Sequence, residues 1–274
     1  MSLFQDKTFL ITGASRGIGK AIALKLASAG ANIIIASKST EENPKLGGTI
    51  FSAAEEIEKV GGKALAVQCD IRDEAMIENA VRLGVEKFGG IDGVINNASA
   101  ISLTDTQKTE SKRFDLMYDI NVRGTFLVTK HCVPHLLKST NPHILTLSPP
   151  LNLNPKWFGP HVAYSISKYN MSMLAMGWAA EFQKAGIASN SLWPVTTIAT
   201  LAVNNLLGGE ALMKMSRTAE ILADAAFFIL QQNAKVYTGR HLLDEVVLAE
   251  AGITDLEKYA VTPGGKLFRD LFVD

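Results

Sequence analysis

The sequence predicts an α/β fold: a doubly wound parallel sheet with helices on both faces, three layers in all. Three observations carry that expectation. Short apolar runs alternate with helical stretches along the chain, as parallel sheets with crossover helices require. A glycine-rich loop, "TGASRGIG" (12–19), joins the first apolar run to the first helical stretch. The length, 274 residues, suits one large domain spanning 1–274 better than two small ones.

The elements follow in order. "KTFLIT" (7–12) reads as a short buried strand. "GKAIALKLASAG" (19–30) has helical spacing, and Gly30 suits its C-terminal cap. "ANIIIAS" (31–37) is the second strand, "AAEEIEKVGG" (53–62) a helix ending in glycines, and "KALAVQCD" (63–70) the third strand. "DEAMIENAVRLGVEKFGG" (73–90) is a helix and "IDGVINNAS" (91–99) the fourth strand. "DLMYDINVRGTFLVTKHCVPHLLK" (115–138) reads as one long helix before a fifth strand, "HILTLS" (143–148). "HVAYSISKYNMSMLAMGWAAEFQKAG" (161–186) is another long helix, and "IASNSLWP" (187–194) the sixth strand. "AEILADAAFFILQ" (219–231) is a helix and "GRHLLDEV" (239–246) a last strand, making about seven. Two segments exceed ordinary connections: "KSTEENPKLGGTIFS" (38–52) and "NNLLGGEALMKMSRT" (204–218). The second, entered from residue 196, is read as a substrate lid over 196–218.

Composition excludes several functions. Lys+Arg and Asp+Glu both number 27, so no long-range field gathers nucleic acid or acidic membranes, and no nucleic-acid partner is expected. An apolar fraction of 47% is ordinary for a protein with a sizeable core. No apolar run reaches the ~18–20 residues of a membrane span. The N-terminus lacks a signal-peptide pattern and Leu271-Phe272-Val273-Asp274 is no peroxisomal address, so a cytoplasmic location is the default expectation. Met1-Ser2-Leu3 is compatible with an expression leader. Cys69 and Cys132 are expected as reduced, partly buried thiols.

The glycine loop points to a phosphate ligand. Glycine at 13, 17 and 19 lets backbone approach a pyrophosphate, and the helix that follows offers free N–H groups and its positive dipole end. The spacing Gly-x-x-x-Gly-x-Gly after Thr12, Asp70 after the third strand, "NNA" (96–98), "NVRG" (121–124) and "YSISK" (164–168) occur in order. With these motifs the chain resembles the short-chain dehydrogenase/reductase family over roughly residues 7–245. That resemblance implies a Rossmann-type nicotinamide-cofactor site. Its expected residues are Gly13, Ser15, Arg16, Gly17, Ile18, Gly19, Lys38, Asp70, Ile71, Asn97, Ala98, Tyr164, Lys168, Pro194 and Thr197, with Asp70 at the adenine end. Charge bears on the choice of cofactor. The second strand ends in Ser37-Lys38 rather than in an acid, and Arg16 sits inside the glycine loop. Two cations near a ribose 2′ position favour NADP(H) over NAD(H).

Tyr164 and Lys168 are four apart on a predicted helix and project from one face. A free tyrosine, with a pKa of ~10, exchanges protons poorly near neutrality, and a nearby lysine cation would lower that value. The resemblance implies that Tyr164 is the acid/base for hydride transfer between the cofactor and a carbonyl or alcohol. It implies that Lys168 holds the nicotinamide ribose and that Asn121 holds a water linking Lys168 to solvent. It also implies a serine that steadies the substrate oxygen. Ser148 is the candidate, although the usual column falls on Pro149 and Ser148 lies one residue early. Two further departures are Ser99 in place of a glycine after "NNA", and Val195 in place of a glycine after Pro194. Thr197 and Thr200 both remain open as ligands for a carboxamide or phosphate.

These departures together resemble one branch of the family, in which a sterol-carrier domain often follows the reductase. The chain is expected to be the reductase unit alone, acting on an apolar steroid- or fatty-acyl-like carbonyl or alcohol. Trp157 and Phe158 either wall the substrate mouth or pack in the core, and His161 is a possible lining residue. His131 and His135 have a metal-compatible spacing but no evident third ligand, so no metal is expected. Met171, Met173 and Met176 are expected to pack the long helix. By resemblance, the 115–138 and 161–186 helices form the interface of a homo-oligomer, a dimer or tetramer. The alternative reading is a non-catalytic NADP(H)-binding sensor or scaffold.

Overall fold

The computed structural model describes residues 3–42 and 47–274, with the side chains of Leu206 and Leu207 excepted. Met1-Ser2 and residues 43–46 of the long 38–52 segment lie outside the described residues. The strands are β1 Thr8–Thr12, β2 Asn32–Ser37, β3 Lys63–Gln68, β4 Gly93–Asn96, β5 His143–Leu147, β6 Ala188–Trp193 and β7 His241–Leu243. All pair in parallel, in the order β3-β2-β1-β4-β5-β6-β7. The helices are α1 Gly17–Ser28, α2 Ile50–Lys59, α3 Glu74–Phe88, α4 Ser111–Met117, α5 Thr125–Leu136, α6 Val162–Glu181, α7 Leu201–Val203, α8 Gly209–Lys214, α9 Glu220–Gln231 and α10 Asp244–Glu250.

β1 and β2 are apolar nearly throughout because both faces of the sheet are covered. Successive side chains then enter opposite layers. Ile33 and Ile35 join one core with Ile22 and Leu26 of α1 and Ile221 and Leu222 of α9. Ile34 and Ala36 join the other with Ile77 of α3, Val128 of α5 and Trp178 of α6. A third apolar cluster lies apart from both, around Tyr164, and includes Tyr169 and Phe272.

The structure departs from the sequence pattern in three places. The expected single helix over 115–138 begins at Ser111 and is broken by a π-helical segment, Tyr118–Gly124, between α4 and α5. Gly124 lies so close to Ile71 that a Cβ there would sit 2.7 Å from its Cδ1. The wider turn leaves Asn121 wholly enclosed. The segment over 204–218 is not a plain loop. It is largely helical, with α7, a π turn over Asn204–Gly208, and α8. The last strand keeps only His241–Leu243, because the acidic pair Asp244-Glu245 opens α10 instead.

The strand order reverses at β1 and β4, and side chains lock that junction. The Thr12 hydroxyl accepts the backbone N–H groups of Asn97 and Ala98, both at 3.0 Å, and donates to the Ile95 carbonyl at 3.4 Å. Asn97 Nδ2 donates back to the carbonyls of Thr12 at 2.9 Å and Gly13 at 3.2 Å. Gly19 packs against this clamp. A Cβ there would lie 2.5 Å from Asn97 Nδ2 and 2.8 Å from the Gly13 carbonyl. Backbone cannot yield cheaply, so Gly19→Ala is expected to destabilise the fold by roughly 1–3 kcal/mol in chemical denaturation; an unchanged midpoint would contradict the clamp.

Candidate active site

The carboxyl ends of the strands gather the expected residues along one edge. Gly13 and Gly17 take left-handed conformations, φ +68° and +57°, that side chains disfavour. Arg16, at the N-cap of α1, makes no side-chain bond to the first helical turn. Its guanidinium donates instead to the Gly47 carbonyl at 2.9 Å. The first-turn N–H groups of α1 are thus left for an anion. The Ser15 hydroxyl lies 3.2 Å from that of Ser37 and ties the loop to the end of β2. Lys38 is exposed beside it. An open loop, an uncapped helix N-terminus and two cations at the end of β2 fit the pyrophosphate and ribose of a dinucleotide.

Other residues expected at the cofactor have definite partners. The Asp70 carboxylate is held by Arg72, through Nε at 2.9 Å and the backbone N–H at 3.1 Å. That bond keeps its pKa below the usual carboxylate range, with Lys38 adding a smaller effect. Ile71 is buried against Gly124. Ile18 is packed against the sheet core. The Thr197 hydroxyl is bonded to Ser216 at 2.8 Å, turned into the protein. Of the two threonines left open, Thr200 is the one over the glycine loop: a Cβ on Gly17 would meet its Cγ2 at 3.6 Å. Pro194 is buried. Val195 after it has no left-handed φ, so glycine is not needed there. Its N–H donates to Asp244 Oδ1 at 2.9 Å and its carbonyl accepts from the Asp270 N–H at 3.0 Å.

Tyr164 (5% exposed), Lys168 (2%), Asn121 (0%) and Ser148 (0%) are all enclosed. Lys168 Nζ donates to the Leu147 carbonyl at 2.8 Å and approaches Met171 Sδ at 3.3 Å. It also lies 5.0 Å from the centre of the Trp193 ring. Burial lowers its pKa to about 7. The Tyr164 phenol is pushed above its ordinary value by burial, with the Asp270 charge adding to the rise. Desolvation is the larger of the two causes. Ser148 Oγ is buried and has no hydrogen-bond partner. Pro149 turns its carbonyl to Ser172 Oγ of α6 at 2.6 Å, which holds the Ser-Pro-Pro turn against that helix.

The Asn121 carboxamide is tied to four neighbouring groups. Its Nδ2 donates to the Ala100 carbonyl at 2.9 Å and to Ser167 Oγ at 3.0 Å. Its Oδ1 accepts from Ser99 Oγ at 3.1 Å and the Ala100 N–H at 2.8 Å. All four valences of the carboxamide are taken. Ser99, a departure in the sequence, proves to be one of those partners.

Trp157 and Phe158 take the packing role of the two expected for them. Half-buried, they pack on Phe272 (6.0 Å between rings) and Tyr169 (5.1 Å), in the cluster that surrounds Tyr164. Half-buried His161 stands at the N-cap of α6, its Nδ1 enclosed and unpartnered. His131 does not pair with His135. It meets Glu74 at 2.9 Å and lies 3.8 Å from Glu78, both on α3. These three groups could hold a cation geometrically, but Lys130 already neutralises Glu74 at 2.9 Å. Cys69 and Cys132 are free and buried.

The C-terminal residues were missed. Phe272 is buried among Tyr164, Tyr169, Trp157 and Trp193. The Asp270 charge acts on both Tyr164 and Lys168 and raises both values. The signal was there: in "FRDLFVD" (268–274) an acid sits among apolar residues that a plain surface tail would not carry.

A parallel sheet with a glycine loop at its switch point, and a buried tyrosine-lysine pair on the helix after β5, define a class: oxidoreductases that use a nicotinamide dinucleotide. Residues 7–207 match the short chain dehydrogenase family, and the chain belongs to it. Hydroxysteroid dehydrogenase-like protein 2 of Danio rerio is 57% identical over 97% of this chain, and that of Homo sapiens 55% over 97%. The chain spans 64% and 63% of the lengths of these two relatives. The crystal structure of a short chain dehydrogenase from Mycobacterium thermoresistibile is 53% identical, with a TM-score of 0.94, over 100% of this chain and 96% of that one.

Asp244 offers a test of the site's electrostatics. Burial raises its pKa to about 6, and Oδ2 is unpartnered while Oδ1 holds Val195. A carboxyl whose folded value exceeds its unfolded one of ~4 keeps its proton longer when folded. Its contribution is thus present below pH ~4 and lost as pH rises through about 6. Asp244→Asn keeps the Oδ1 acceptor, so its stability relative to wild type should rise across that window in melting curves. A constant difference would contradict the raised value.

Proposed function

We propose that the chain is an NADP(H)-dependent reductase acting on the carbonyl of an apolar, steroid- or fatty-acyl-like substrate. One observation carries the reading: the fully buried, unpartnered Ser148 hydroxyl. It directly follows Leu147, whose carbonyl anchors Lys168. A buried hydroxyl without a partner is costly unless a ligand completes it. A substrate oxygen is the group that Ser148 and Tyr164 together would hold. The apolar cluster around Tyr164 suits a hydrophobic substrate body.

The bound cofactor supplies the hydride. Tyr164 donates a proton to the carbonyl oxygen. Ser148 orients that oxygen. Lys168 stabilises charge on the phenol oxygen and holds the ribose. Arg16 and Lys38 take the 2′-phosphate, and the loop from Gly13 to Gly19 takes the pyrophosphate. The stretch 196–218 serves as lid, since Thr200 already lies over Gly17. The exposed Phe126, Met173 and Met176 of α5 and α6, beside a 340 Å³ groove lined by Phe126, Met173 and Trp178, support a homo-oligomer. A cytoplasmic location accompanies this reading.

NADPH oxidation should be followed against steroid, fatty-acyl and aryl ketones. Tyr164→Phe is expected to lose ~10²–10⁴-fold in kcat while NADPH affinity stays unchanged. Turnover that survives the change, or no turnover in wild type with NADPH bound, would overturn the reading, the latter in favour of a sensor or scaffold. Removing Arg16 and Lys38 together by alanine should weaken NADPH at least roughly tenfold and leave NADH nearly untouched. Equal losses would refute the 2′-phosphate assignment.

A further inference from the structure

Tyr164 and Ser148 are both buried, so a substrate cannot reach either hydroxyl with the chain arranged as it is. Part of what covers the tyrosine is the segment 271–274. Phe272 is itself buried, with its ring 6.2 Å from that of Tyr164 and 5.1 Å from that of Tyr169. The rings of Trp157 and Trp193 each lie 6.0 Å from it. An apolar side chain thus fills the space against the phenol where the body of the proposed substrate belongs.

This segment is fixed firmly at its root and weakly at its far end. The Phe268 N–H donates to the Met215 carbonyl at 2.8 Å, and the Phe268 carbonyl accepts from the Thr197 N–H at 3.0 Å. Arg269 bridges Thr196 in antiparallel fashion, and the Asp270 N–H donates to the Val195 carbonyl at 3.0 Å. Beyond Asp270, side chains do the holding. Trp193 Nε1 donates to the Leu271 carbonyl at 2.9 Å. The Asp274 carboxylate accepts from Asn152 Nδ2 at 2.7 Å and pairs with Lys156. Both members of that pair are more than half exposed, at 59% and 51%, so it contributes little in water. Phe272 adopts φ +71°, a left-handed conformation that a bulky residue accepts only when its surroundings impose it. The loop on the other side is better anchored. Tyr169 of α6 donates to the Asn152 carbonyl, and Ser165 of α6 to the Trp157 carbonyl, both at 2.5 Å.

We propose that residues 271–274 are a strap that gates the substrate chamber, with Phe272 as a plug that an apolar substrate displaces. The proposal rests on the reductase reading and states what that site admits. The strap swings about Asp270, where the backbone bonds to 195–197 end. Opening breaks an exposed ion pair and two hydrogen bonds, and it releases the strained backbone of Phe272. Its main cost is the lost burial of the Phe272 ring. An apolar substrate body restores that burial in the same place, and a polar one of equal size does not. The plug thereby selects apolar ketones. The fraction of molecules with the strap open also sets the apparent affinity, because the intrinsic dissociation constant is divided by that fraction. A plug and a fixed wall differ in sign. Trimming a wall removes contacts and weakens substrate binding, whereas trimming a plug raises the open fraction and strengthens it.

Two experiments on the full chain test this. With the best ketone of the panel, Phe272→Ala is expected to lower KM for the ketone roughly tenfold while the NADPH dissociation constant stays unchanged. A KM that rises or stays the same would overturn the plug. The second experiment locks the strap and does not depend on how Phe272→Ala folds. Lys156→Cys and Asp274→Cys are combined and joined by a short bismaleimide; Cys69 and Cys132 are buried and do not compete. The locked chain is expected to lose ketone turnover and to keep NADPH binding, while the same variant capped with N-ethylmaleimide keeps both. Full turnover in the locked chain would overturn the proposal. Titration with the neutral apolar dye Nile red gives a readout free of turnover. The locked chain should bind less dye than the capped one, and equal binding would overturn the gate. No turnover in wild type would sink the reductase reading, while the dye titration would still decide whether the strap closes the chamber.

Discussion

The pairing of β4 with β1 is the constraint on which the rest depends. The chain winds outward from β1 to β2 and β3, then returns across the first strand to begin the second half of the sheet. Because both halves share β1, the carboxyl ends diverge there and leave a crevice. Thr12 and Asn97 keep that crevice open at a fixed width, through hydrogen bonds between the two strand ends. Gly13, Gly17 and Gly19 are what the clamp leaves room for. The pyrophosphate cradle is thus a consequence of strand order rather than a feature added to the fold.

The catalytic side is governed by desolvation. Tyr164 and Lys168 sit with Trp193, Tyr169 and Phe272, and burial shifts both away from their charged forms. The family is one of oxidoreductases. The tail from Arg269 onward completes the enclosure, with Phe272 packed against Tyr164 and Tyr169.

The sheet and the glycine loop were legible because each follows from a local rule. Alternating burial in β1 and β2, and glycine at three fixed steps after Thr12, leave little choice of structure. The tyrosine, lysine and asparagine were legible through their motifs. The break over Tyr118–Gly124 was not, because a π turn differs from an α turn by a single residue and leaves the apolar spacing almost intact. The partners of Asn121 were hidden for another reason. Ser99 looked like a loss relative to a glycine, and its hydroxyl gains meaning only when the fourth strand and the α4–α5 segment meet. Asp270 lay beyond the motifs altogether, in a tail whose place is set by Phe272 packing against residues about a hundred positions earlier.

The central claim is that a hydride moves directly from cofactor to a carbonyl carbon whose oxygen Tyr164 protonates. The most direct measurement is a single turnover with NADPH carrying deuterium at the transferable C4 position, and mass spectrometry of the product. The account predicts an alcohol with one deuterium on the former carbonyl carbon. An alcohol whose new carbon-bound hydrogen comes from solvent, or cofactor that stays bound and unoxidised before every ketone offered, would contradict it.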